Sequence, residues 1–321
     1  MLTYVARRLA YSIPVLLIAS FLLFAFVRVT FDPTARLRAS RDPSAVARER
    51  TRLGLDKPIV VQYKDWLVKF VQGDWGESSR SSERVYPMIT RALWNTFQLI
   101  FWGVLISGLI AIGIGIFSAV RQYSVADYAF TSASFIGLAM PPFWFGLIAI
   151  QFLAAGPKNW FDLSQPPLFF VGLHSVAGSP ILDYPRHLVL PVLTLTVQII
   201  ASWSRYERAS MLDAINADYV RAARAKGLSP RQVIFKHAFR NALIPLVTVM
   251  ALDIGLLFGG LIVTEKIFSI PGMGQLFFDS LLQGDANVLV AWTVVTAGFV
   301  ILFNLVADIG YGALDPRIRV A

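Results

Sequence analysis

The chain has 321 residues, of which 56% are hydrophobic and 15% charged, with a net charge of +9 and no cysteine. A water-soluble domain carries about 25% charged residues, so this composition excludes an ordinary soluble enzyme. Without cysteine there is no disulfide framework, thiolate metal site or cysteine nucleophile, and His174, His187 and His237 show no metal-ligand spacing.

The first predicted span covers residues 9–27. It follows Arg7 and Arg8 as a secretory signal would, but it is longer than a usual signal core, and "FAFVRVTFDP" supplies no small-residue cleavage site. It reads as a retained membrane helix. Residues 32–91 form the only sizeable extramembrane segment expected on the outer side. Within it, "DPSAVARERTRLG" places Asp42 as a helix cap, Pro43 at the first helical position and Gly54 as a stop. "PIVVQYKDWLVKFVQG" sets Val60, Lys64, Leu67 and Val71 at helical spacing and stops at Gly73. Two short amphipathic helices are predicted, then a turn at "GDWGES". The pair suits a lid or docking surface better than a plain connector.

Uncharged runs at 92–120, 128–157 and 187–204 give three more spans; 241–264, interrupted only by Asp253, gives a fifth and 286–307 a sixth. Each holds the roughly 17–25 residues a membrane helix needs, and in hydrocarbon it must be helical to satisfy its own backbone. Ser107, Ala111 and Gly115 in the second span, and Gly255 and Gly259 in the fifth, are small residues four apart, which lets helices pack closely. "MPPFW" sets Pro141 beside Pro142 in the third span and predicts a kink. The carbonyls freed there need neighbours or water, which makes the pair a candidate lining of a pathway. Asp253 lies about 18 Å along the fifth helix from Asn241, and reads as the only acidic residue deep in a span. Two readings stand for it: a functional charge, or a carboxyl hydrogen-bonded against another helix.

Orientation follows from lysine and arginine in the short connections. One side carries Arg7, Arg8, Arg121, eight basic residues between Arg205 and Arg240, and Arg317 and Arg319. The other carries only Lys158, Arg186 and Lys266. The fold expected is therefore all-α: a polytopic membrane protein with six transmembrane helices and both termini cytoplasmic, with short helices in the first outer segment. Its parts are an amino-terminal span (1–31), an outer segment (32–91) and a core of five spans (92–321) with a cytoplasmic loop at about 205–240.

That loop contains "YVRAARAKGLSPRQVIFKHAFRNALIPL". Leu212, Ile215, Tyr219, Ala222 and Ala223 recur at helical spacing, with Arg208, Arg221 and Arg224 supplying charge around them. Gly227 suits the left-handed conformation that ends a helix. Ser229 caps the next helix, Pro230 takes its first position, Gln232 completes a capping box, and Leu228 and Val233 form a hydrophobic staple. Such a turn could read DNA, lie on anionic lipid or fit a protein groove. Its short tether to two spans argues against a major groove. The small Ala222, Ala223 and Gly227 cannot insert deeply into lipid, so a protein groove is preferred.

At these residues the chain resembles the membrane-spanning permease subunits of ABC importers for peptides. The pattern Ala222-Ala223-xxx-Gly227 is similar to the EAA loop of binding-protein-dependent permeases, where a short coupling helix fits a groove on a cytoplasmic ATPase subunit. The family's leading glutamate is here Arg221, and the spacing from Gly227 to Pro245 exceeds the family's shortest form. "ARRLAYSIPVLL", "GDWGES" (73–78), "EKIFSIPGMG" (265–274) and "LDPRIR" (314–319) resemble further motifs of the peptide branch in the same order. "VTFDPT" keeps only Asp32-Pro33 of the usual Pro-Gly-Asp-Pro.

The resemblance implies an ATP-driven importer in the prokaryotic cytoplasmic (inner) membrane. It implies a second homologous permease, two ATPase subunits carrying ATP and Mg, an outer substrate-binding protein and a peptide substrate, with no nucleic acid. Asp218, Tyr219, Arg221, Ala222, Ala223, Ala225, Lys226, Gly227, Leu228 and Ser229 would couple to the ATPase. Pro141, Pro142 and Asp253 would line the path. Asp74, Trp75, Gly76, Pro271 and Gly272 would face the binding protein. No catalytic or metal-binding residue and no cofactor are expected in this chain. No GxxxxGK[ST] run is present, so the energy must come from another polypeptide. Nickel or glutathione importers look much alike. A secondary transporter acting alone would show inverted repeats and ionisable residues in several spans.

Overall fold

The computed structural model describes residues 2–31, 34, 43–52, 54–175 and 180–314. Asp32-Pro33, the Asp42 cap and the basic residues Arg317 and Arg319 lie outside the described residues. Twelve helices are seen among those described: α1 Leu2–Thr30, α2 Pro43–Arg52, α3 Ile59–Val71, α4 Val85–Val120, α5 Val125–Ala139, α6 Pro142–Trp160, α7 Pro180–Asn216, α8 Asp218–Ala225, α9 Pro230–Leu257, α10 Ile262–Ile267, α11 Met273–Gln283 and α12 Ala286–Leu314. Beyond helices, the ordered backbone pairing among the described residues is one isolated bridge between Glu77 and Arg84.

Five of these helices are long and apolar enough to cross a membrane; α5 and α6 make a sixth span if counted together. They meet at 102°. The break falls at Pro141-Pro142, where the kink is predicted. Ser124 caps α5 by accepting the Asp127 N–H at 3.2 Å. Gln198 Nε2 donates to the Met140 carbonyl at 3.1 Å, so α7 satisfies an acceptor the break leaves free. The fifth span ends earlier than predicted. α9 stops at Leu257, because Gly260 adopts φ +101° and its backbone lies against Gly274, where a Cβ would come within 2.2 Å of the Gly274 nitrogen.

The most extensive helix pairing is between α4 and α7. Gly103 faces Leu195 and Gly115 faces Glu207, so the two helices run parallel. A Cβ at either glycine would sit 2.5 Å from its neighbour. Ser107, Ala111 and Gly115 are all buried in this seam, as their spacing predicts. α5 packs antiparallel on α7, with Gly137 over Ala201. α9 and α12 are also antiparallel: Gly255 faces Val300 and Phe303, and Gly259 faces Thr296. The outward surface is apolar, with Leu22, Phe26, Val29 and Leu109 exposed, as a lipid-facing surface requires.

α3 forms where predicted but presents a different face. Val60 and Val71 point outward. An aromatic ladder turns inward instead. Phe24 of α1, then Tyr63, Trp66, Phe70 and Trp75 follow one another at centroid distances of 4.5–6.0 Å. Aromatic rings bury more area than the valines and gain from ring–ring geometry, so they decide the face. Ser20 and Tyr63 hydroxyls meet at 2.6 Å and tie α3 to α1.

The α4–α7 seam gives a prediction. Alanine in place of glycine strengthens a helix by about 1 kcal/mol where space allows. Gly113 has nothing within 4 Å of a built Cβ, whereas Gly115 meets Glu207 and the Arg208 backbone. Gly113→Ala should therefore leave or raise the thermal midpoint of the purified chain. Gly115→Ala should lower it, at an overpacking cost of about 1–3 kcal/mol. Equal midpoints for the two variants would contradict the close approach.

Candidate functional site

The predicted helix–turn–helix is present, with one difference. Its first arm does not run on from α7. α7 ends at Asn216, Ala217 is extended (ψ 152°) and α8 starts afresh at Asp218. Asn216 turns its amide back onto the Leu212 carbonyl at 2.9 Å, and Asp218 sits in the first turn of α8, where negative charge favours a helix start. α8 ends as predicted at Gly227, φ +76°. The Leu228 N–H reaches the Ala223 carbonyl at 3.4 Å and the Gly227 N–H reaches Arg224 at 3.0 Å, the paired bonds of a glycine-terminated helix. Ser229 then caps α9: its Oγ accepts the Gln232 N–H at 3.4 Å, and Gln232 Oε1 accepts the Ser229 N–H at 3.2 Å. Both halves of the predicted capping box are formed. The first turns of α9 widen to π-helical bonding over Val233–Ala238.

This turn has two surfaces. Val220 and Ala223 of α8 are buried with Ala119 of α4, Met211 and Ala214 of α7, and Val233, Ala238 and Ala242 of α9. The small side chain of Ala223 thus serves packing within this chain. Tyr219, Arg221, Ala222, Ala225, Lys226, Gly227, Leu228 and Ser229 are exposed. Asp218 is exposed too and pairs with Arg221. The result is a packed base beneath an exposed, basic ridge.

Behind the ridge, charges enter the bundle that sequence reading placed elsewhere. Arg208 does not decorate the loop. It forms a bidentate pair with buried Asp127 of α5, both bonds 2.8 Å, and Asp127 also accepts the Tyr123 N–H at 3.0 Å. Glu207 is fully buried beside Gly115, and neither carboxylate oxygen has a hydrogen-bond partner among the described residues. Asp253 is therefore not alone inside the spans. It accepts the indole N–H of fully buried Trp203 at 2.7 Å. Glu207 was missed because it lies in "RYER", which reads as loop. The parallel register of α4 and α7 would have revealed it: residues level with 103–115 are still within the apolar bundle.

At the opposite end, "EKIFSIPGMG" folds around Glu265. The Glu265 carboxylate is fully buried and accepts Thr96 Oγ1 at 2.7 Å and the Gln275 N–H at 2.8 Å. Burial pushes this carboxyl up from its ordinary range, while those hydrogen bonds pull it back. Gly272 is buried because that carboxylate occupies the space of its missing side chain; a Cβ would lie 2.4 Å from Glu265. Gly272 is thus removed from the exposed surface, whereas Pro271 remains on it. "GDWGES" is pinned to the start of α12. Ser78 donates to Asp285, and Asn287 Nδ2 donates to the Glu77 carbonyl at 2.8 Å. Trp75 stacks on Phe70 and is half-buried with Gly76, while Asp74 is exposed. Among the described residues no group of histidine and acidic side chains could hold a metal ion.

The chain is similar along its whole length to known proteins. It is 40% identical over 322 residues to an oligopeptide transport system permease of Bacillus subtilis, covering 99% of this chain and 100% of that one. It is 37% identical over 334 residues to a di/tripeptide transport system permease of Pseudomonas aeruginosa, covering 99% of each. A glutathione transport system permease of Salmonella typhi is 37% identical over 325 residues, again covering 99% of each. Two inward-facing structures of a methionine ABC transporter share the fold, with TM-scores of 0.54 and 0.55, covering 71% of this chain and 96% of theirs at 19% and 20% identity. Residues 1–99 match the amino-terminal region of binding-protein-dependent transport system membrane components. Residues 111–320 match the inner membrane component of those systems, and the chain belongs to that family of bacterial inner-membrane transport permeases.

Proposed function

We propose that this chain is one permease of an ATP-driven peptide importer, coupled to its ATPases through the ridge formed by α8, Gly227 and Ser229. The observation that carries this is the two-sided build of the ridge. It is exposed along Arg221, Ala222, Ala225, Lys226 and Leu228, yet anchored through Val220 and Ala223 to α4, α7 and α9. A push on such a ridge is delivered to the spans rather than absorbed. The charge count supports a cytoplasmic position for it and for both termini. The family, and relatives named for oligopeptides and di/tripeptides, support the peptide reading.

In this reading two ATPases bind ATP with Mg, close together and move the ridge as a rigid body. The spans of this permease and a second one rock, and peptide released by an outer binding protein crosses between them. Pro141-Pro142 and Asp253 belong to the moving wall. Asp74, Trp75 and Pro271 face the binding protein. Glutathione is the second substrate reading, favoured by the glutathione permease among the relatives. Glutathione is itself a small peptide, so competition between it and unmodified tripeptides in one uptake assay separates the two.

Two outcomes test the reading. Gly227 has open space around it but a positive φ. Strain, not collision, penalises a side chain there, and a β-branched one most. Gly227→Val should abolish uptake and release ATP hydrolysis from its dependence on binding protein while the permease still accumulates. Gly227→Asn should retain a measurable share of transport. Full uptake by the valine variant would contradict the coupling role. For Asp253, the amide oxygen of Asp253→Asn can still accept the Trp203 N–H, so uptake should stay within about twofold, well under 1 kcal/mol. Asp253→Leu orphans a buried donor at about 1–3 kcal/mol and should lower the thermal midpoint. Loss of uptake in the asparagine variant would show that the charge itself is required.

A further inference from the structure

A groove of about 580 Å³ opens on the face shared by α5 and α7. Thr131, Phe135 and Leu138 of α5 form one wall, and Ser202, Arg205 and Tyr206 of α7 the other. It begins just below the Pro141-Pro142 break. Its mixture is unusual for a membrane helix face: three hydroxyls, aromatic and aliphatic walls, and two cations, Arg205 and Arg208.

Arg205 is the feature to explain. Arg208, at the rim, is already held by Asp127. Arg205 is exposed, and no carboxylate pairs with it among the described residues. Its guanidinium lies 4.4 Å from the centre of the Phe135 ring. The contacts Asp127–Arg208, Ser134–Ser204 and Gly137–Ala201 fix the α5–α7 register. On that register Arg205 stands about two helical turns, or ~10 Å, inside the start of α5. An arginine near lipid reaches outward to the headgroups. This one leans inward onto Phe135, away from them. A lone cation at that depth is costly unless it faces water or an anion.

We infer that this groove is a substrate site on the permeation route, in which Arg205 takes the terminal carboxylate of a passing peptide. The inference rests on the peptide-import reading above. Guanidinium binds carboxylate in a two-pronged, charge-assisted fashion. The Thr131 and Ser202 hydroxyls can meet backbone amides, and the walls of Phe135, Leu138 and Tyr206 accept varied side chains without selecting one.

The chain has no cysteine, so single cysteines report cleanly on its own positions. The complete complex, in vesicles with its binding protein, is tested in two ways. Ser202→Cys is exposed to a charged methanethiosulfonate, which modifies thiols in water but not in hydrocarbon, and modification is followed by the mass of this chain. Modification that slows when tripeptide is added is the expected result. Second, Arg205→Gln is compared with wild type for uptake of a tripeptide and its carboxyl-amidated form. The binding protein is common to both, so its own preference cancels in the ratio. The variant should lose about tenfold more uptake of the free-carboxylate peptide than of the amide, the loss of one charge-assisted contact. Arg205→Lys should recover part of it. Equal loss of both peptides, absence of modification at Ser202→Cys, or an Arg205 effect that follows phosphatidylglycerol content would overturn the site. Wild-type vesicles that take up neither peptide would overturn the peptide reading itself, and this inference with it.

Discussion

The close parallel contact of α4 and α7 is the constraint on which the rest depends. At Gly103 and Gly115 the two helices approach so nearly that a single methyl group would collide. Hydrophobic driving force between helices is weak in lipid, so contact distance and buried polar groups carry the association. This pair is the most extensive seam among the described residues and touches nearly every other core element. α5 hangs on α7 through Asp127–Arg208, α9 through Asp253–Trp203, and α8 closes its end through Val220 and Ala223. Glu207 is enclosed at the same level by Gly115.

The two ends of the bundle solve different problems. At the basic end, small side chains and a glycine-terminated helix give a ridge that is anchored below and free above. At the other, the buried carboxylates of Glu265 and Asp285 gather loop backbone and hydroxyl donors, while Phe268, Ile270 and Met273 bury the apolar side of the same segment. Glu265 draws Thr96, Gly272 and Gln275 together, and Asp285 draws in Ser78 and Ser79. A motif such as "EKIFSIPGMG" is thereby explained largely by internal geometry: the glutamate and the glycine are two halves of one packing decision.

Much of this was legible in the residues. The apolar runs marked the spans, the paired prolines marked the 102° break, and Gly227 with Ser229 and Gln232 marked the turn. These are local signals, each set by backbone geometry or by hydrocarbon length. What escaped reading was pairwise. Arg208 read as loop charge until Asp127, 81 residues earlier, came to meet it. Gly272 read as surface until Glu265 was seen to fill its place. Val60, Lys64, Leu67 and Val71 marked the helix by their spacing, but the packed face of α3 is set by the aromatic ladder. Arg205 closed an uncharged run and so looked like the edge of a span, whereas the register with α5 sets it inside.

The ridge and the α4–α7 pair should move as one body, because buried Val220 and Ala223 leave α8 no independent hinge. Spin labels at Arg224→Cys on α8 and at Leu109→Cys on the exposed side of α4, 69% accessible, measure this directly in a chain otherwise free of cysteine. Distance distributions are compared between nucleotide-free and ATP-bound complexes. A single narrow distance that ATP leaves unchanged is the predicted result; a shift of several ångströms on ATP binding would show that α8 hinges on its own and contradict the account.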